Sequence, residues 1–164
     1  MDSVTVTSKY FTIEHVTIVS SFSFTEARRK LEEAFPKLSL KIVENLTDGN
    51  IQEVERYEER GPKLSIFLDR DHGALLQIIG HPSNAIQYEI GNPVTASKMT
   101  RHCLAAALYA PLRVVLYENQ KGGAVVEYDQ PSSLFGQFGD DRVTTVGREL
   151  DAELDLTLRR ALRP

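Results

Sequence analysis

The first regular pattern in the chain is an alternation of apolar and polar residues between positions 11 and 24. Val16 and Ile18 fall on one side of this pattern, and His15 falls on the other with threonine and serine side chains. A period of two residues is typical of a strand with one buried face. We therefore expect a long, half-buried strand at the start of the chain.

A change from a strand period to a helical period follows at once. Ser23 and Glu26 have the spacing of a capping box, which satisfies free amides at a helix start. The apolar positions then recur at helical spacing until Pro36, a helix breaker. These positions are Ala27, Leu31, Ala34 and Phe35.

The middle of the chain has a weaker pattern. Leu38 to Gly61 is undecided, because its charged run from Glu53 to Arg60 fits either a helix or a polar edge strand. Beyond it, Leu64 to Leu68 and Ala74 to Ile79 read as two strands of a hairpin, and Ala85 to Ile90 reads as a third strand.

The second half alternates helices with a clear hairpin. Small apolar residues from Met99 to Ala110 predict one face of a helix that ends at Pro111. The strands Leu112 to Glu118 and Ala124 to Asp129 flank a glycine-containing turn. A four-residue ridge predicts a closing amphipathic helix, formed by Val146, Leu150, Leu154, Leu158 and Leu162.

These elements predict an α+β fold, with a mostly antiparallel sheet and helices gathered on one face. The 164 residues fit one domain, 1–164, with an ordinary globular composition. The formal charge of -4 argues against nucleic acid and anionic membranes as partners. A lone cysteine, no signal-like N-terminal stretch and no apolar run of spanning length lead us to expect a cytoplasmic protein.

Strong chemical signatures are missing from the sequence. It has no phosphate loop, dinucleotide fingerprint, zinc-helix histidine pair or nucleophile elbow. We therefore expect neither a cofactor nor a metal. The candidates that remain are polar residues at strand ends, where side chains often converge on a pocket.

Asp71 and His72 form the first candidate pair, because a histidine titrates near neutral pH and a neighbouring carboxylate raises its basicity. An exposed hairpin tip is the alternative interpretation. Asn92 can offer its amide to a ligand at a helix start, or it can simply cap a turn.

Arg113 and Tyr117 share one face of a strand, and Tyr128 lies on the neighbouring strand. The arginine can hold a ligand carboxylate in a bidentate contact, or it can pair with Glu89 or Glu127 as a structural ion pair.

Several of these residues recur in an order that resembles the domain of unknown function 302 family. The resemblance covers roughly the second half of the chain. It is carried by Asp71-His72, Gly91-Asn92-Pro93, Met99, Ala110 to Arg113, and Tyr128 to Pro131.

The resemblance implies a β-α-β-β-β-β-α arrangement of the TATA-binding-protein fold class, a helix after the Asp-His pair, and a homodimer. It implies no reaction. By its own pattern, the stretch after Asp71-His72 reads as a strand, so the two expectations differ at this point.

The function we expect is binding of a small organic molecule in an apolar pocket, with Asp71, His72, Asn92, Arg113, Tyr117, Tyr128 and Met99 around it. A catalytic version would be cofactor-free proton transfer, as in an isomerase, lyase or cyclase. His72 would then be the base, and Arg113 or Tyr128 would stabilise an oxyanion. The alternative is a non-catalytic ligand-binding or homo-oligomeric assembly module.

Overall fold

The computed structural model describes residues 3–164, so the first two residues of the N-terminal stretch lie outside the described part. Five strands are present in this part: β1 His15–Ser20, β2 Ser65–Asp71, β3 Ala85–Gly91, β4 Leu112–Glu118 and β5 Ala124–Asp129. The α-helices are α1 Phe24–Ala34, α2 Leu40–Thr47, α3 Ile51–Arg60, α4 His72–Ile78, α5 Pro93–Thr100, α6 Pro131–Phe135 and α7 Asp141–Ala161. Short 3-10 helices cover Leu104–Tyr109 and Gly136–Phe138.

The strands form a sheet in the order β1-β5-β4-β3-β2, and every neighbouring pair is antiparallel. Helices α1, α5 and α6 each pack against α7, and their buried side chains share one core with the sheet. The predicted α+β architecture with an antiparallel sheet is confirmed, as is the hairpin that joins β4 to β5. Gly122, with a φ of 79°, supplies the left-handed conformation in that hairpin turn.

The two faces of the sheet differ in polarity. Alternate residues such as Tyr88, Val114 and Val126 are fully buried in the core with Leu31 and Leu154 of the helices. The opposite face, here called the open face, carries partly or fully exposed polar side chains. Those used below are His15, Arg70, Gln87, Glu89, Arg113, Tyr117, Glu127 and Asp129.

The first strand is shorter than its sequence pattern predicts. It begins at His15 and ends at Ser20, because it pairs only with β5, whose six residues limit the ladder. Ser23 then acts as the helix cap, and its hydroxyl accepts from the Glu26 amide at 3.3 Å. The predicted Ser23 cap is thus confirmed, whereas the Glu26 carboxylate accepts from the Arg29 guanidinium. Alternation before His15 does not mean a strand.

The predicted hairpin at residues 64–79 is wrong. β2 runs to Asp71, and the apolar run after it forms α4, with Asp71 Oδ1 accepting from the Ala74 amide at 2.9 Å. A short apolar run has no decisive period, so the capping carboxylate determines the conformation here. The helix implied by the family resemblance is the one that forms.

Two other segments depart from expectation. The undecided stretch forms α2 and α3, and Asn50 caps α3 by accepting from the Glu53 amide. The single helix expected up to Ala110 is instead α5, which begins at Pro93, followed by the 3-10 helix from Leu104. The closing helix is confirmed as α7. Among the described residues, no helix combines the length and apolarity needed to cross a bilayer.

Candidate functional site

The structure places the seven predicted site residues in four separate regions. Asp71 and His72 lie at the end of β2, where the Asp71 carboxylate is used as the cap of α4 and both residues are exposed. Gly73 directly after them is buried, and a Cβ there would lie 2.4 Å from the Ser83 carbonyl oxygen. The close packing at this point is therefore between backbones, and the His72 side chain faces solvent.

Asn92 and Met99 lie together at the other end of the sheet, around an apolar pocket. Its volume is about 300 Å³. The pocket lies where β3 and β4 meet helices α5, α6 and α7. Its walls are formed by Phe67, Ile90, Gly91, Asn92, Pro93, Thr95, Ala96, Ser97, Met99, Thr100, Ala110, Pro111, Leu112, Phe135 and Leu150.

The polar groups in this wall are mostly used within the protein. Asn92 Oδ1 accepts from the amides of Val94 and Thr95, and its Nδ2 donates to the carbonyl oxygens of Pro62 and Lys63. The wall hydroxyls of Ser97 and Thr100 donate to backbone carbonyls one turn earlier. Asn92 is therefore a helix cap and a tie to the 62–63 loop, and the pocket offers mainly apolar surface.

Arg113 and Tyr117 both lie on the open face, as their strand spacing predicts. Tyr117 donates its hydroxyl to Glu127 Oε1 at 2.7 Å, and this carboxylate raises the pKa of the tyrosine. The structural ion pair considered for Arg113 is not formed. Glu89 pairs with Arg70 at 2.7 Å instead.

His15 belongs to the same surface, although no site role was predicted for it. Its Nδ1 lies 2.9 Å from Asp129 Oδ1 and its Nε2 lies 3.3 Å from Glu127 Oε2. The hydrogen bond to Asp129 is the main cause that raises the pKa of His15, with Glu127 acting in the same direction. The pairing of β1 with β5 was the missing signal, because it sets His15 opposite Asp129.

Tyr128 lies on the core side of β5, away from Arg113 and Tyr117. Its hydroxyl donates to Asp155 Oδ1 of α7 at 3.3 Å. Burial, together with the charge of Asp155, raises the pKa of Tyr128 to about 12. This tyrosine therefore ties the sheet to the closing helix.

Titratable groups and enclosed volume are thus found in different places. The apolar pocket has Asn92 and Met99, and the open face has Arg113 and Tyr117 with His15, Glu127 and Asp129. Within residues 3–164, no three histidine, cysteine or carboxylate side chains group in a way that could hold a metal ion.

Comparisons with known proteins agree with this fold. The chain is similar to a crystal structure of an uncharacterized conserved DUF302 protein from Bacillus stearothermophilus, with a TM-score of 0.66 and 17% identity. The match covers 90% of this chain and 97% of that one. No curated protein matches the chain significantly. The family model described as "Domain of unknown function DUF302" matches residues 54–161, and the chain belongs to that family.

Proposed function

We propose that this protein binds a small, uncharged and largely apolar organic molecule in the pocket beside Asn92 and Met99. The observation that carries the proposal is the pocket itself, which has a volume of about 300 Å³ and mostly apolar walls. Ligand sites in proteins are typically concave and apolar, with only a few polar groups.

The size of the pocket limits the ligand. Small-molecule sites start at roughly 300 Å³, and an apolar cavity of about 150 Å³ is enough for benzene. A molecule with one or two rings therefore fits. The hydroxyl of Thr95 is the group in the wall best able to orient it, since the other wall hydroxyls are bonded to the backbone.

The wall chemistry favours binding over proton transfer. An acid or base must come within hydrogen-bond reach of the group that it deprotonates. None of the side chains that line the pocket is a carboxylate, histidine, lysine, cysteine or tyrosine. We therefore propose a binding protein in which the bound molecule is held without being transformed.

Fluorescence titration with 1-aminonaphthalene, an uncharged two-ring aromatic probe, tests this proposal. We expect saturable binding to one site. Ala96→Leu should weaken probe binding by about tenfold or more, because Ala96 lines the pocket and the added carbons would occupy part of its volume. Ala105→Leu is the matched control, since Ala105 is exposed in the neighbouring 3-10 helix. Equal binding by both variants would contradict the proposal.

Self-association is a second candidate function, and it is supported by the exposed apolar side chains on and next to helix α4. Leu75, Ile78 and Ile79 are 60%, 81% and 74% exposed. The segment 72–84 around them contains no Asp, Glu, Lys or Arg. Contiguous exposed apolar groups mark interaction surfaces.

Sedimentation velocity can decide whether α4 mediates self-association. The wild-type protein should sediment as a dimer, and Ile78→Ser should shift it to the monomer. Leu156→Ser, a partly exposed apolar position on α7, is the control and should leave the dimer intact. A monomeric wild-type protein at high concentration would exclude this candidate.

A further inference from the structure

A second binding site is indicated on the open face of the sheet, around Arg113. We propose that Arg113 binds a small apolar carboxylate, such as an aromatic or short aliphatic acid. The site is distinct from the apolar pocket: Arg113 does not line that pocket, and the two share only the wall segment Ala110–Pro111.

The first argument is that the acids around Arg113 already have other partners. Glu89, directly opposite Arg113 on β3, receives a hydrogen bond from Arg70. Glu127 accepts from Tyr117 and contacts His15. Within the described chain, Arg113 itself has neither an ion-pair nor a hydrogen-bond partner, so its guanidinium is available.

The second argument is the apolar surface beside the guanidinium. Arg113 lies between two concavities of the open face. One contains the polar side chains of His15, Gln87 and Glu127. The other, of about 320 Å³, is formed by Leu108, Tyr109, Ala110 and Pro111 together with Glu89 and Arg113. Leu108 is 76% exposed there, so apolar surface is open to a ligand.

Guanidinium chemistry selects the ligand class. The planar fork of an arginine matches a carboxylate in a bidentate contact, and an apolar body attached to that carboxylate can cover Leu108 and Pro111. An inorganic anion would gain only the contact with the guanidinium and not the apolar contact. An uncharged analogue would gain only the apolar contact with Leu108 and Pro111.

His15 has a positioning role in this arrangement. By strand register, Asp129 lies next to Arg113 across the β4–β5 pair, one residue beyond the Val114–Tyr128 position. His15 contacts the Asp129 carboxylate at 2.9 Å and so competes with Arg113 for it. Without the imidazole, Asp129 would be free to pair with Arg113 and block the site.

Titration calorimetry with benzoate tests the site, and benzamide is the uncharged analogue. We expect one benzoate per chain with a dissociation constant of about 1–10 mM, as befits a small ligand on an open surface. Arg113→Gln should weaken binding at least about tenfold. The matched control is Arg148→Gln, which removes an exposed arginine from α7.

Two further variants should change the affinity for benzoate in opposite directions. His15→Gln should weaken benzoate binding, because it releases Asp129 toward Arg113. Asp129→Asn should strengthen it about two- to fivefold, because a negative charge near the ligand carboxylate is removed. The ¹⁵N resonance of Arg113 Nε should shift on benzoate addition in the wild-type protein.

Three outcomes would overturn the proposal: no saturation by benzoate, equal binding of benzamide, or undiminished benzoate binding by Arg113→Gln. Because binding of 1-aminonaphthalene to the apolar pocket is measured separately, failure of benzoate binding at Arg113 leaves the proposed function standing. The reverse also holds.

Discussion

His15 and Asp129 face each other across the β1–β5 ladder, with His15 Nδ1 2.9 Å from Asp129 Oδ1. This contact joins the edge strand to its only partner in the described sheet. It also makes the stability of the edge strand depend on the protonation of one imidazole.

The free energy of unfolding should respond to pH through His15. Asp129 and Glu127 raise the pKa of His15 in the folded protein above its usual value near 6.5. The folded state therefore binds the proton more tightly. The stabilising effect of this proton on the fold is complete below about pH 6.5 and is lost as the pH rises through the raised pKa of His15.

Urea unfolding of the wild type and His15→Gln between pH 6 and pH 9 measures this effect. The stability difference between them should be about 1 kcal/mol or less at pH 6, because the His15 side chain is 54% exposed, and should shrink toward pH 9. His72→Gln is the control, since His72 is exposed at the start of α4. If the stability difference between the wild type and His15→Gln grew with pH, the protonated form of His15 would not be the stabilising one.

Asn92 should contribute to stability through both its side-chain oxygen and its side-chain nitrogen. Asn92→Ala removes the cap of α5 and the two bonds to the 62–63 loop, and we expect a loss of about 1–3 kcal/mol in urea unfolding. Asn92→Asp keeps the accepting oxygen and loses the donors. It should fall between the wild type and Asn92→Ala, and a loss equal to that of alanine would show that the cap contributes nothing.

Met99 should matter for packing as well as for the pocket. It is 1% exposed and belongs to the core cluster. Met99→Ala should lower the free energy of unfolding by about 2–5 kcal/mol, because it leaves a cavity. Met99→Leu conserves most of the volume and should cost less than about 1.5 kcal/mol. Thermal unfolding of the two variants compares them, and equal losses would mean that side-chain volume is not the determinant.

Gly73 should be intolerant of any side chain. A Cβ at this position would meet the Ser83 carbonyl oxygen at 2.4 Å and the Ala85 amide nitrogen at 3.1 Å. Gly73→Ala should therefore destabilise the protein by about 1–3 kcal/mol as the backbones move apart. Gly136→Ala, where the nearest atom lies at 3.9 Å, serves as control in the same thermal unfolding experiment. Equal melting temperatures for the two variants would contradict the close approach.

Local signals in the sequence were sufficient for several elements. Ser23 is the cap of α1, the turn around Gly122 joins β4 to β5, and the ridge from Val146 lies on α7. Each depends on residues close together in the chain, where capping, turn geometry and helical spacing act directly. The shared face of Arg113 and Tyr117 follows from strand alternation in the same way.

The same reasoning failed in two places, one decided by a local cap and the other by a long-range contact. The apolar run after Asp71 has too few residues to define a period, and the capping carboxylate makes it helical. No spacing in the sequence indicates that His15 meets Glu127 and Asp129, which are more than 100 residues away. That contact exists because the first strand pairs with the last.

By itself, then, the sequence determined the α+β class, the antiparallel hairpin and the closing helix, because each follows from short-range periodicity and turn chemistry. Only the tertiary structure decided which polar residues meet. Antiparallel pairing of β2 with β3 puts Asp71 and His72 at the opposite end of the sheet from Asn92, and the β4–β5 register turns Tyr128 toward the core while Arg113 faces outward. The pocket beside Met99 and the open face around Arg113 exist because distant elements pack together, and this packing is not encoded at any single position.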